Sequence, residues 1–119
     1  MLEQKSVQKI ALLWIEAWNR KDIPAILSYY DDDVVFYSPT VPRRWNIAEG
    51  KLFGKEALEK HFRKAMEEVP GMHIELLSIL FGLDSFILVY RRENTKLAAD
   101  EVILNNQGKV KEVKVFCSL

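Results

Sequence analysis

Few side chains in this 119-residue sequence can hold or move a proton at a site, and their neighbours sort them. Asp100 stands in the run LAADEVIL. Strand parity sets it on one face with Ala98, Val102 and Leu104 and sends Glu101 to the other. A carboxyl among apolar neighbours resists ionisation, because burial disfavours its charged form. Such an acid can donate a hydrogen bond to a ligand carbonyl. The plainer alternative is that Asp100 pairs with a Trp N–H, His61 or an arginine and orders the core. His61 lies between Leu58 and Ala65 at helical spacing, on the edge of an apolar stripe. It is either an acid or base near neutral pH or a satisfied boundary residue. Ser38, in YSP, has no adjacent base of the kind a nucleophilic serine needs, and reads as a pocket-wall hydroxyl bonded to backbone. His73 alternates with Glu75, so both face solvent. Two histidines without His-x-x-x-His spacing give no metal site, and no glycine-rich phosphate cradle appears. No cofactor is expected.

The totals narrow the partners. Lys plus Arg equals Asp plus Glu, 17 each, so the formal net charge is zero. A nucleic-acid binder would carry a basic stripe, whereas Arg43-Arg44 and Arg91-Arg92 are isolated pairs. Hydrophobic residues at 49% and charged residues at 29% are a globular balance, enough for one domain over 1–119 with one core. The longest apolar run, LLSILFGL, falls far short of the roughly 20 residues that span a bilayer. The start, MLEQKSVQKI, lacks the apolar centre of a signal peptide. Cys117 is the single cysteine and reads as a small core hydrophobe. A cytoplasmic setting is the simplest reading.

The elements that must position these groups follow from periodicity. Val7, Ile10, Ala11, Trp14, Ala17 and Trp18 recur at helical spacing, which predicts a helix over about residues 3–20. Asp22 caps a short second helix, with Pro24 tolerated in its first turn. The acidic run 31–33 stops that helix, and Tyr29 and Tyr30 read as surface features at its end. VVFYS is a strand ended by Pro39. Residues 40–53 read as a long loop, of the kind that forms lids or binding loops. Gly54 opens a third helix with Leu58, Phe62, Ala65, Met66 and Val69 buried. Strands are expected over 72–81, 85–92, 96–105 and 109–117, with short turns that make neighbours antiparallel.

That order, with EAWNRKDIPAILSYYDDDVVFYSP, GKEALEKHF, GLDSFILVYRRE and NNQGKV in place, resembles the nuclear transport factor 2-like superfamily over almost the whole chain. It is most similar to the branch of SnoaL-type polyketide cyclases and ketosteroid isomerases. The resemblance implies an α+β, cystatin-like fold, in which a curved, mostly antiparallel sheet packs on three helices as a cone. Its lining would be Trp14, Trp18, Phe36, Ser38, Phe62, Val102, Val115 and Cys117, with Asp100 and His61 inside and Trp45 and Phe53 closing the mouth. The isomerase pattern uses an Asp base and an oxyanion hole of a Tyr and a protonated Asp. The resemblance sets Trp14 where that Tyr stands, Ser38 where the base stands and Asp100 where the neutral Asp stands. Serine is too weak a base for the isomerase reaction.

Two functions are compatible with this. One is a small-molecule-binding protein or an enzyme for a hydrophobic, cyclic or carbonyl-bearing molecule, with Asp100 as its acid. The other is a non-catalytic interaction module whose cone is filled by its own tryptophans. A gap well under ~300 Å³ would leave no room for a drug-sized ligand. The resemblance also implies a homodimer through the outer sheet face, where Leu77, Ile79, Ile103 and Phe116 would meet a second copy.

Overall fold

The computed structural model describes residues 2–118. Helix α1 (Gln4–Asn19) buries Val7, Ala11, Trp14, Ile15, Ala17 and Trp18, the stripe read from its spacing. Helix α2 (Ile23–Leu27) starts at Asp22, whose carboxylate accepts the Ala25 N–H at 3.1 Å. Strand β1 (Tyr30–Tyr37), helix α3 (Thr40–Trp45) and strand β2 (Lys51–Phe53) precede helix α4 (Gly54–Glu68). Strands β3 (Ile74–Phe81), β4 (Phe86–Arg92), β5 (Leu97–Leu104) and β6 (Val110–Cys117) complete the chain. All six strands form one sheet in the order β2-β1-β6-β5-β4-β3, antiparallel except where β1 runs parallel to β6. The fold is α+β, with every helix in the N-terminal half.

Three expectations need correction. The 40–53 segment is not a plain loop: it holds α3 and the edge strand β2, making four helices rather than three among the described residues. The acidic run does not precede the first strand but lies within it. Tyr30 pairs with Val110 and Val35 with Glu112, so β1 spends five steps where β6 spends two. Asp31–Asp33 form the resulting bulge. Asp31 accepts the Asn105 amide at 2.7 Å and the Asp33 N–H at 2.8 Å. Ile79 points inward rather than outward. A bulge between Leu76 and Ser78 shifts parity, so Ile79 pairs with buried Leu88 while Leu77 stays exposed.

Helix α1 packs over β3 and α4 over β1 and β2, all against the face carrying Phe36, Phe86, Leu88, Tyr90, Val102 and Val113. Asp100 stands on that same face, directly between Leu88 of β4 and Val115 of β6. The core is therefore continuous along the sheet and thins where the site opens.

Candidate functional site

A cavity of about 150 Å³ opens between α1, α3, α4 and the inner sheet face. Trp14, Trp18, Phe36, Ser38, His61, Phe62, Asp100, Val115 and Cys117 all line it. Val102 does not; it lines a separate void of about 20 Å³ that shares Trp14, Tyr30 and Asp100 with the cavity. Those three shared residues form the floor. Phe53, 65% exposed, and Trp45, at the surface of α3, do not line the cavity. The mouth is instead bordered by Arg43, Arg92 and Cys117. Cys117 is exposed there, so it is a rim residue and not a core one.

The floor is the chemically loaded part. Asp100 is 4% exposed, and the Tyr90 hydroxyl donates to its Oδ1 at 2.8 Å. Oδ2 has no hydrogen-bond partner among the described residues. Burial pushes the carboxyl up to about 7, against the opposing pull of the Tyr90 hydrogen bond and the Arg92 charge. The partner is thus Tyr90, not a tryptophan, His61 or an arginine. Tyr30 is buried beside it, and its hydroxyl accepts the Trp14 Nε1–H at 3.2 Å. Burial, then the nearby Asp100, holds the Tyr30 phenol far above its ordinary value, so it stays protonated. Its own hydrogen has no acceptor among the described residues. Trp18 also has a buried indole N–H without a partner.

The other wall is a closed network. The Trp45 indole donates to His61 Nδ1 at 2.9 Å. That leaves the imidazole proton on Nε2, 3.4 Å from Thr40 Oγ1. Thr40 Oγ1 lies 2.8 Å from Ser38 Oγ, which also accepts the Thr40 N–H at 3.2 Å. The Arg44 guanidinium sits 3.4–3.5 Å from both ring nitrogens, and its Nη2 and Nε donate to Glu68 Oε1 at 2.7 and 2.9 Å. Burial, then Arg44, pushes His61 down to about 4, so it is neutral at pH 7 and both nitrogens are engaged. Ser38 is a wall hydroxyl bonded to a backbone N–H, as its surroundings suggested.

The residues that sequence reasoning missed are Tyr30, Tyr90, Thr40, Arg44 and the rim arginines. Tyr90 had a signal: alternation with Phe86 and Leu88, and a short turn that sets it opposite Ala98, two residues from Asp100. Tyr30 keeps the parity of Val34 and Phe36 and is buried with them, but the acidic run that follows it reads as a helix end, which set Tyr30 outside the strand.

The SnoaL-like domain model matches residues 11–114. This chain belongs to the SnoaL-like family. A SnoaL-like protein of unknown function from Burkholderia thailandensis is 29% identical, with 100% of each chain covered at a TM-score of 0.93. A cystatin-like protein of unknown function from Methylobium petroleophilum is 15% identical over 99% of this chain and 79% of its own, at 0.78. TerC, co-crystallised with polyporic acid, is 17% identical over 92% of this chain and 89% of its own, at 0.74. No curated protein matches the chain. SnoaL-like members include polyketide cyclases and isomerases; in this chain the floor holds a buried acid from β5 and a phenol, Tyr30, from β1.

Proposed function

We propose that this SnoaL-like protein binds a ring-sized, carbonyl-bearing molecule in the cavity and polarises its carbonyl oxygen from the floor. The observation that carries the reading is the pair of unpartnered donors there: the Tyr30 hydroxyl and, when protonated, Asp100 Oδ2. Two such donors in a water-poor site stabilise an oxygen that gains negative charge, as in enolisation or ring closure. Any proton that moves is carried by Asp100, because Ser38 is a weak base and both His61 nitrogens are occupied. A cavity of about 150 Å³ fits one six-membered ring, which excludes a steroid-sized guest from full enclosure. TerC, co-crystallised with polyporic acid, is a small-molecule precedent for this fold.

Donation from Asp100 requires its proton, so affinity for a neutral ring ketone falls as pH rises through about 7. Cyclohex-2-enone titrated by NMR is expected to bind roughly tenfold more weakly at pH 8.5 than at pH 6. Asp100→Asn keeps an N–H donor but loses the titration, so its profile is expected to be flat. A flat profile in the natural chain would sink the reading.

The filled-cone alternative keeps one observation in its favour, the small volume, and with it a role for the outer sheet face. We take that face to be where a second copy docks, alongside ligand binding rather than instead of it. A cytoplasmic location goes with this reading, supported by a lone exposed thiol with no disulfide partner.

A further inference from the structure

The ligand's far end is legible in the charges of the mouth. The whole chain balances 17 basic against 17 acidic residues, yet the cavity is lined by Arg43, Arg44 and Arg92 and by a single acid, Asp100. That imbalance is local, and only part of it is neutralised by the protein. Arg44 is committed to Glu68 by two hydrogen bonds. Arg92 pairs with Glu93 through longer contacts of 3.2 and 3.4 Å. Arg43 makes no salt bridge among the described residues, although it lies within electrostatic reach of Glu68. Arg43, Arg92 and Cys117 all line the cavity, and both arginine charges act on the Cys117 thiol.

We propose, building on the floor reading above, that the ligand is a monocyclic oxo-acid whose carboxylate or equivalent anion stays at the rim between Arg43 and Arg92. The geometry divides the labour by depth. The enclosed space takes the ring, the floor takes the carbonyl, and the anion remains where water still reaches it. Guanidinium groups suit this role, since they stay charged and offer paired donors to a carboxylate. An anion at the rim loses little hydration, whereas one at the floor would stand beside Asp100 with no cation of its own. A positive mouth also steers anions toward the opening, in a way that salt screens.

Calorimetric titration with 4-acetylbenzoate and its neutral isostere 4-acetylbenzamide tests this. The carboxylate is expected to bind at least tenfold more tightly in low salt, with the margin shrinking as salt rises. Arg43→Gln is expected to remove most of the margin by weakening carboxylate binding far more than amide binding, while Arg43→Lys restores part of it. Equal binding of the two probes would overturn the anion assignment and leave the floor reading standing. Binding of neither would overturn both. A margin that persists in both Arg43→Gln and Arg92→Gln would overturn the role of these two arginines. Circular dichroism of each variant separates lost binding from lost folding.

Discussion

Asp100 and His61 are both buried at the cavity and both sit far from their ordinary pKa, in directions that act on stability at different pH. The Asp100 carboxyl is raised from 3.8 to about 7 in the fold. Below pH 3.8 the folded and unfolded chains both hold its proton, and its titration takes nothing from stability. Between pH 3.8 and 7 the unfolded chain alone releases it, so the fold loses stability, reaching on the order of 4 kcal/mol above pH 7. Asp100→Asn is therefore expected to raise the melting temperature at pH 8 and to change it little at pH 4. His61 is lowered from 6.5 to about 4. Its contribution is whole above pH 6.5 and drains away as pH falls through 4, because only the unfolded chain takes up the proton. His61→Gln is expected to flatten that acid limb relative to the natural chain, and to cost about 1–3 kcal/mol at pH 7 by unpairing the Trp45 indole. Melting curves at pH 4, 6 and 8 read all of these. A rise at pH 4 as large as that at pH 8 would contradict the buried-acid account.

At the scale of elements, the site depends on a turn that no periodicity announces. Ser38 N–H donates to the Gly50 carbonyl at 3.0 Å, which ties the end of β1 to the strand before α4. Gly50 has φ of +68°, and a Cβ there would meet the Ser38 carbonyl oxygen at 3.3 Å. Gly50→Ala is therefore expected to cost about 1–2 kcal/mol in urea unfolding, and to weaken ligand binding by loosening the Ser38 wall. Unchanged stability would mean that the turn yields more readily than its backbone suggests. This is also where the sequence was least readable. Helices α1, α2 and α4 and strands β3–β6 were legible because each is long enough, or well enough capped, for its pattern to stand out. Helix α3 and strand β2 have six and three residues, too few to show a period, and Pro42 masked the helix. Two local features explain the rest: the β3 bulge shifts parity and puts Ile79 on the inner face, and the acidic run 31–33 reads as a helix end, which kept Tyr30 out of the strand although it shares the inward parity of Val34 and Phe36. Asp100 was legible because no bulge falls between it and Ala98 or Val102. Trp45 was expected at the mouth because aromatic loop residues suggest ligand contact, but its helix turns the indole onto His61 from outside.

Across the whole molecule, the outer sheet face carries apolar side chains that neither core nor cavity accounts for. Leu80 and Phe116 are 52% and 55% exposed, Leu77 and Leu97 are exposed beside them, and the half-buried Ile87 and Val89 lie between. Pairing of Leu80 with Ile87, Val89 with Ala99, and Ala99 with Phe116 makes this one apolar band across four strands. Such a band on a chain with no net charge favours self-association, since nothing repels a second copy. The proposed homodimer would place its two-fold axis on this band. Light scattering at tens of micromolar is then expected to give twice the 13.9 kDa chain mass, and Phe116→Lys to give the chain mass alone. The consequence reaches the cavity, because Phe116 lies between Val115 and Cys117, which line it. A partner pressed on Phe116 would hold the end of β6 in place, so the monomeric variant is expected to bind 4-acetylbenzoate several-fold more weakly while keeping its preference over the amide. If the natural chain scatters as a monomer throughout that range, the band needs a different occupant and the coupling to the rim falls with it.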